Sequence, residues 1–133
     1  MLPVVYYRCI QEENQNMGYR SQVVLAVSKE AYALLTTVIA RGGDVAELFD
    51  TQNGYVEIQH NYEADDSVAY LWDSIKWYED YPAIRAIENF MAQLENSEME
   101  EHYRFVRVGE DSNDNEERGY GFENIYIDRS INL

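Results

Sequence analysis

The chain has 133 residues, about the length of one domain, and 46% of them are hydrophobic, which is enough for a packed core. Its 25 acidic residues against 10 basic ones give a formal net charge of -15, a field that repels nucleic acid and anionic membranes and attracts basic partners. The aromatic content of 14%, with 12 tyrosines, excludes the composition of a disordered acidic tail.

Two strands are predicted before residue 28. Residues 4–10 are β-branched and aromatic, and residues 20–27 have the same character after a polar stretch that ends at Gly18. Together they predict an antiparallel hairpin. Cys9 is the only cysteine, so no internal disulfide forms, which is typical of a reducing compartment. We expect Cys9 to be a buried, inert thiol.

A helix is predicted directly after the second strand. Ser28 is a suitable N-cap, and Gly42 and Gly43 provide the stop signal. Between them, apolar residues recur at helical spacing on one face: Ala31, Leu34, Leu35, Val38 and Ile39. Asp44 is expected to cap one further turn that runs to Phe49.

The middle of the chain leaves one element open. Asn53 and Gly54 predict a turn, and residues 55–62 alternate as a strand does. Residues 64–67 form a polar break. Residues 68–78 are rich in aromatic side chains and fit a long strand, although three of them also fit one face of a helix: Leu71, Ile75 and Tyr78.

The clearest helix begins at Pro82, a residue favoured in the first helical turn. Its apolar face consists of Ile84, Ile87, Met91 and Leu94, with Phe90 beside it. An acidic linker over residues 96–101 precedes a strand at 102–108, an acidic loop at 109–121 and a last strand at 122–128.

The order of these elements, ββαββαββ, predicts an α+β fold. We expect one mostly antiparallel sheet of about six strands with two amphipathic helices packed on it. No composition shift or linker divides the chain, so residues 1–133 are predicted to form a single domain. The first residues have no basic region followed by a long apolar stretch, and no window is apolar enough to span a membrane, so we expect a cytoplasmic protein.

Motifs that carry catalysis or bind cofactors are missing from the sequence. His60 and His102 have no metal-ligand spacing, the glycine clusters match no phosphate-binding loop, and the neighbouring acids resemble a solvated surface. We therefore predict a protein that is not an enzyme and has no cofactor or metal. The alternative is an enzyme with an unfamiliar site, in which His60 or His102 lies in a cleft beside a carboxylate or a tyrosine.

Residues 111–115 resemble the start of a calcium-binding loop, because they supply side-chain oxygens at its first, third and fifth positions. The sixth position holds Glu116 where the loop requires glycine, and the twelfth holds Phe122 where it requires glutamate. A flexible acidic loop is the simpler interpretation.

The acidic residues and the tryptophans are the best candidates for a binding surface. Residues 1–62 hold 7 acids and 4 bases, whereas residues 63–133 hold 18 acids and 6 bases. Aromatic anchors surrounded by acids suit a basic partner, although such a charge also serves solubility alone. The predicted partner-binding residues are Asp65, Asp66, Trp77, Glu79, Asp80, Glu110, Asp111, Asp114, Glu116 and Glu117. Of Trp72 and Trp77, we expect one to lie in the core.

The two arginines of the strand at 102–108 do not form a basic groove. Arg104 and Arg107 are three residues apart, so they face opposite sides of the sheet. Carboxylates spaced along a surface can instead imitate duplex DNA, which carries one charge per about 1.7 Å of its axis.

Residues 72–81, the helix after Pro82 and residues 103–111 resemble uncharacterised small acidic proteins of bacteriophages and prophages. The resemblance covers about residues 70–129 and transfers no functional residues. It implies a context in which small proteins inhibit a host or defence protein, of the anti-restriction or anti-CRISPR type.

The predicted function is that of an acidic inhibitor that occludes a basic, nucleic-acid-binding protein. Two alternatives remain open at this point: an immunity protein or antitoxin that neutralises a nuclease toxin, and a self-assembling structural protein. A homodimer is compatible with each of them.

Overall fold

The computed structural model describes residues 18–53, 56–62, 67–127 and 131–132, with the side chains at 53, 57–62 and 132 left aside. The strand predicted at residues 4–10, Cys9, Asp65 and Asp66 lie outside the described residues. The side chain of His60 is also not described.

Five strands form one sheet in the described part of the chain, in the order β2-β3-β1-β4-β5, and every neighbouring pair is antiparallel. Their bounds are β1 Ser21–Val27, β2 Glu57–Tyr62, β3 Ser67–Ile75, β4 Tyr103–Gly109 and β5 Asn115–Arg118. Two further short strands, β6 Tyr126–Ile127 and β7 Ile131–Asn132, form a separate pair. This confirms the α+β class and the antiparallel sheet.

Strand β1 lies at the centre of the sheet because nearly all of its side chains are apolar and both of its faces are buried. Val23, Leu25 and Val27 face the helices, whereas Val24 and Ala26 face the opposite side. Strands β3 and β4 pair with β1 on its two edges. The predicted hairpin is therefore wrong: along Ser21–Val27 no edge of β1 is left for a strand from residues 4–10.

In the described part of the chain, three α-helices cover one face of the sheet, where two helices and one further helical turn were predicted: α1 Lys29–Ile39, α2 Gly43–Leu48 and α3 Pro82–Asn96. The predicted signals act as expected in α1 and α3. The Ser28 hydroxyl accepts a hydrogen bond from the Ala31 backbone N–H, and Pro82 lies in the first turn of α3. The apolar face of α3 is fully buried, at Ile84, Ile87, Phe90, Met91 and Leu94.

The aromatic segment that sequence analysis left open is a strand as far as Ile75. Both tryptophans lie in the core, not one as expected: Trp72 is 1% exposed and Trp77 is 9% exposed. Their rings lie 5.8 Å apart, and each indole N–H has a partner, the Leu48 carbonyl for Trp72 and the Glu88 carboxylate for Trp77. Burial of these two large rings against the sheet stabilises the packing of the helices on it.

The last quarter of the chain differs most from the structure that the sequence predicts. Strand β5 lies inside the stretch predicted as a flexible loop, and the expected last strand is reduced to the two residues of β6. Ile125 packs on the outer face of the sheet against Val24, Ala26, Ala69 and Val106. The chain after β5 therefore covers the sheet face that the helices leave open. No helix of the described ranges is long and apolar enough to cross a membrane.

Candidate functional site

Ion pairs within the sheet occupy most of the carboxylates that were predicted to bind a partner in the loop at 110–117. The Arg107 guanidinium contacts Asp114 at 2.7 Å and Glu116 at 3.4 Å. The hydrogen bond from Arg107 lowers the pKa of Asp114 to about 2, with a further contribution from the Tyr19 hydroxyl. Asp114 and Glu116 therefore hold β5 and the preceding turn to β4.

Arg104 binds the other acid of β5, Glu117, on the opposite face of the sheet. Its guanidinium lies 2.7 Å from Glu117 and donates to the carbonyls of Gly119 and Ile125. Arg104 and Arg107 do face opposite sides, as their spacing predicted. Each arginine stabilises a different surface of the same strand pair, so neither belongs to a basic groove.

A third arginine joins β5 to helix α3. Arg118 contacts Glu88 at 2.7 Å and Glu95 at 3.1 Å, and all three side chains are partly buried. The hydrogen bond from Arg118 lowers the pKa of Glu95, and the Tyr103 hydroxyl donates to the same carboxylate. This network is a structural link, because every one of its charges has a partner.

The two acids at the tip of the turn bind backbone groups. Glu110 accepts a hydrogen bond from the Arg20 backbone N–H, and Asp111 accepts one from the Asn113 backbone N–H. The turn is closed further by Tyr19, whose hydroxyl donates to Asp114 and accepts from the Asp111 backbone N–H. No cluster of potential metal ligands occurs among the described residues, and Asp114 is committed to Arg107.

Helix α2 and the start of α3 form a different acidic surface, which we call the α2–α3 groove. Its volume is about 280 Å³, and its lining consists of Asp44, Glu47, Leu48, Tyr81, Pro82 and Ala83. Val45 and Phe49 are buried one helical turn apart and fix α2 on the core. This orientation exposes Asp44 and Glu47 on the solvent side of the helix.

The carboxylates at and next to the groove differ from those of β5 because none of them forms an ion pair with an arginine or lysine of the described residues; the Arg85 guanidinium donates to the backbone carbonyl of Glu79 instead. Asp44, Glu47, Glu79 and Asp80 are exposed, and none of their side chains has a hydrogen bond or an ion pair within the described residues. Glu79 and Asp80 were predicted as partner-binding residues, and here they lie beside Tyr81.

The exposed aromatic side chain that lines the groove is Tyr81. Trp77 is buried against Trp72 and Phe105, so it is not an exposed anchor, and this prediction is wrong. Tyr81 is 42% exposed, and its ring lies 5.2 Å from that of Tyr78. Within the described ranges, the large hydrophobic side chains that remain exposed are all tyrosines: Tyr19, Tyr32, Tyr81, Tyr120 and Tyr126.

His102 was the sequence candidate for catalysis, and its neighbours are a serine and a carboxylate. Its Nδ1 lies 3.0 Å from the Ser28 hydroxyl and 3.7 Å from the Glu30 carboxylate. In a catalytic triad the serine and the acid bind opposite nitrogens of the imidazole. Here both approach the same nitrogen, and the Ser28 oxygen also caps α1. This arrangement is that of a helix cap.

Sequence reasoning missed Asp44 and Glu47, because the excess charge drew attention to the C-terminal half. The signal that could have found them is local: two acids three residues apart, with Val45 and Phe49 at buried helical spacing beside them. No protein-family model, curated protein or solved structure matches this chain.

Proposed function

We propose that this chain is a non-enzymatic, phage-encoded cytoplasmic inhibitor that binds and occludes a basic, nucleic-acid-binding protein of the host or of its defence systems. One observation supports this proposal above the others. Two exposed carboxylates without a hydrogen-bond or ion-pair partner among the described residues, Asp44 and Glu47, line an apolar groove that carries the exposed Tyr81, and the exposed Glu79 and Asp80 directly precede this tyrosine in the chain.

The mechanism is occlusion in two steps. The net charge of -15 steers a basic protein toward the chain, which raises the rate of association at low salt. The groove then adds a short-range apolar contact with the partner, which long-range charge attraction cannot supply. Tyrosine suits this position because it buries a large area at a low cost in side-chain entropy. A nucleic-acid-binding surface covered in this way is closed to its own ligand.

The contact surface in this proposal differs from the one expected at residues 110–117. Carboxylates that already bind Arg104, Arg107 and Arg118 would have to give up those partners before they could bind another cation. Asp44 and Glu47, the carboxylates of the groove, have no such partner to give up among the described residues. We therefore assign the primary contact to the α2–α3 groove and a structural role to the acids of β5.

An immunity protein that neutralises a nuclease toxin would use the same surface, and the identity of the captured protein separates the two. A self-assembling protein is less well supported at the β5 edge. That strand has only four residues, Asn115–Arg118, three of which are charged, and short charged strands resist edge-to-edge pairing.

The test is affinity capture from host lysate with three forms of the full chain: wild type, Asp44→Asn/Glu47→Gln, and the control Asp73→Asn/Glu123→Gln. Both variants remove two exposed charges, but only the first removes them from the groove. We expect a basic nucleic-acid-binding protein that wild type and control retain, that the groove variant loses, and whose DNA binding is blocked by added chain. Equal capture by both variants would contradict the assignment of the groove.

A further inference from the structure

The residues that line the α2–α3 groove indicate which chemical group of a partner the groove binds. This inference rests on the function proposed above. We infer that the groove binds an arginine side chain of the partner. The argument uses three properties of the lining: its charge, its size and its aromatic wall.

Charge restricts the occupant to a cation. Asp44 and Glu47 are the only charged residues among the six that line the groove, and both are acidic. They lie three residues apart on α2, so their carboxylates are neighbours on one face of the helix. An anionic group would be repelled by these two carboxylates, and a neutral polar group would leave both of them without a partner of opposite charge.

Size and polarity restrict the occupant to one long side chain. Ligand pockets for cofactors and drug-sized molecules usually start at about 300 Å³ and enclose most of the ligand, whereas this groove is shallow and at the lower limit. Leu48, Pro82 and Ala83 form an apolar floor beside the carboxylates. Lysine and arginine combine an apolar stem with a charged head, and both fit such a floor.

The aromatic wall favours arginine over lysine. A guanidinium is planar, stacks on aromatic faces and is more weakly hydrated than an ammonium. Tyr81 is exposed at the groove and is braced by the Tyr78 ring at 5.2 Å. The guanidinium also has five donors, which can satisfy two neighbouring carboxylates at once, whereas lysine acts as a single point charge.

The experiment is a titration of the isotope-labelled full chain, followed by NMR, with three peptides: acetyl-Gly-Gly-Arg-Gly-Gly-amide and the same peptide with lysine or with citrulline in place of arginine. Citrulline keeps the shape of arginine without its charge. With arginine we expect the largest shift changes at Leu48, Tyr81 and Ala83. Affinity should fall at least about 3-fold with lysine, and citrulline should cause no saturable change.

Matched variants separate the groove from general attraction. We expect Asp44→Asn/Glu47→Gln to weaken arginine-peptide binding about 10-fold, and Tyr81→Leu to remove the preference for arginine over lysine while the chain remains folded. The control Asp73→Asn/Glu123→Gln changes the net charge equally and should bind like wild type.

Several results would overturn the inference. Equal shifts with arginine and lysine would reject the arginine preference, and combined with capture of a basic protein as above they would leave the proposed function standing. Unchanged groove signals, with contacts from residues 1–17 of the same chain, would assign the groove to that segment. Concentration-dependent shifts of Leu48 and Ala83 without peptide would assign it to a second copy of the chain.

Discussion

Reversing the charges of β5 should destabilise the fold, although the sequence alone suggests that it would only abolish binding. In Glu116→Lys/Glu117→Lys, two new cations would face Arg107 and Arg104 at the positions where carboxylates now lie 3.4 Å and 2.7 Å away. The variant loses attraction on both faces of the β4–β5 pair and adds repulsion.

The magnitude follows from the exposure of these pairs. The arginine side chains are 17% and 15% exposed and the glutamates 35% and 44%, so solvent screens each pair in part. Each lost pair costs about 0.5–1 kcal/mol, and each like-charge contact costs a similar amount. We expect a total loss of about 2–4 kcal/mol, a large fraction of the stability of a small domain, usually about 5–15 kcal/mol.

Urea unfolding followed by tryptophan fluorescence measures this loss, because Trp72 and Trp77 are both buried. The matched control is Asp73→Lys/Glu123→Lys, which changes the net charge by the same amount at exposed positions without an ion pair in the described residues. We expect the control to stay within about 0.5 kcal/mol of wild type. If the β5 variant unfolds at the same urea concentration as the control, the β5 acids are not structural.

Two further predictions concern the same edge of the sheet, at the two ends of β5. Arg107→Met should raise the pKa of Asp114 from about 2 toward its ordinary value of 3.8, which carboxyl NMR titration measures. Because the folded-state pKa is the lower one, this stabilisation is complete above about pH 4 and is lost as the pH falls toward 2, so wild type and variant should converge in acid. Gly119→Ala should cost about 1–3 kcal/mol in thermal unfolding, since Gly119 has a φ of +86° and a Cβ there would overlap the Tyr103 carbonyl oxygen. Gly43→Ala, at a φ of +66° in open space, should cost less, and equal losses would show that the contact is unimportant.

The helices could be predicted from sequence because their determinants are local. Ser28, Pro82 and the apolar spacing of α1 and α3 act within a few residues of the positions they specify. The sheet order could not be predicted in the same way. Strand β1 pairs with Ser67–Ile75 and Tyr103–Gly109, both distant in sequence, so the nearest predicted strand was the wrong choice of neighbour.

Strand β5 escaped prediction because an edge strand does not need an apolar face. Its residues, Asn115–Arg118, are held by backbone pairing to β4, by ion pairs of its two glutamates with Arg104 and Arg107, and by ion pairs of Arg118 with glutamates of α3. In sequence, such a segment is indistinguishable from a polar loop, since the arginines that complete it are not adjacent. Because these ion pairs join residues that are distant along the chain, the sequence alone does not indicate which acids are available for binding.

The distribution of charge in the sequence therefore does not indicate which acids lack an internal partner. Residues 63–133 carry 18 acids, but three arginines in this half bind several of them: Arg104, Arg107 and Arg118. An acid that already has a partner contributes to the long-range field and little to a new contact. Residues 1–62 have a net charge of only -3, from 7 acids and 4 bases, yet they provide Asp44 and Glu47 without any partner in the described structure. Under the function proposed here, the binding surface lies where the described carboxylates have no arginine or lysine partner.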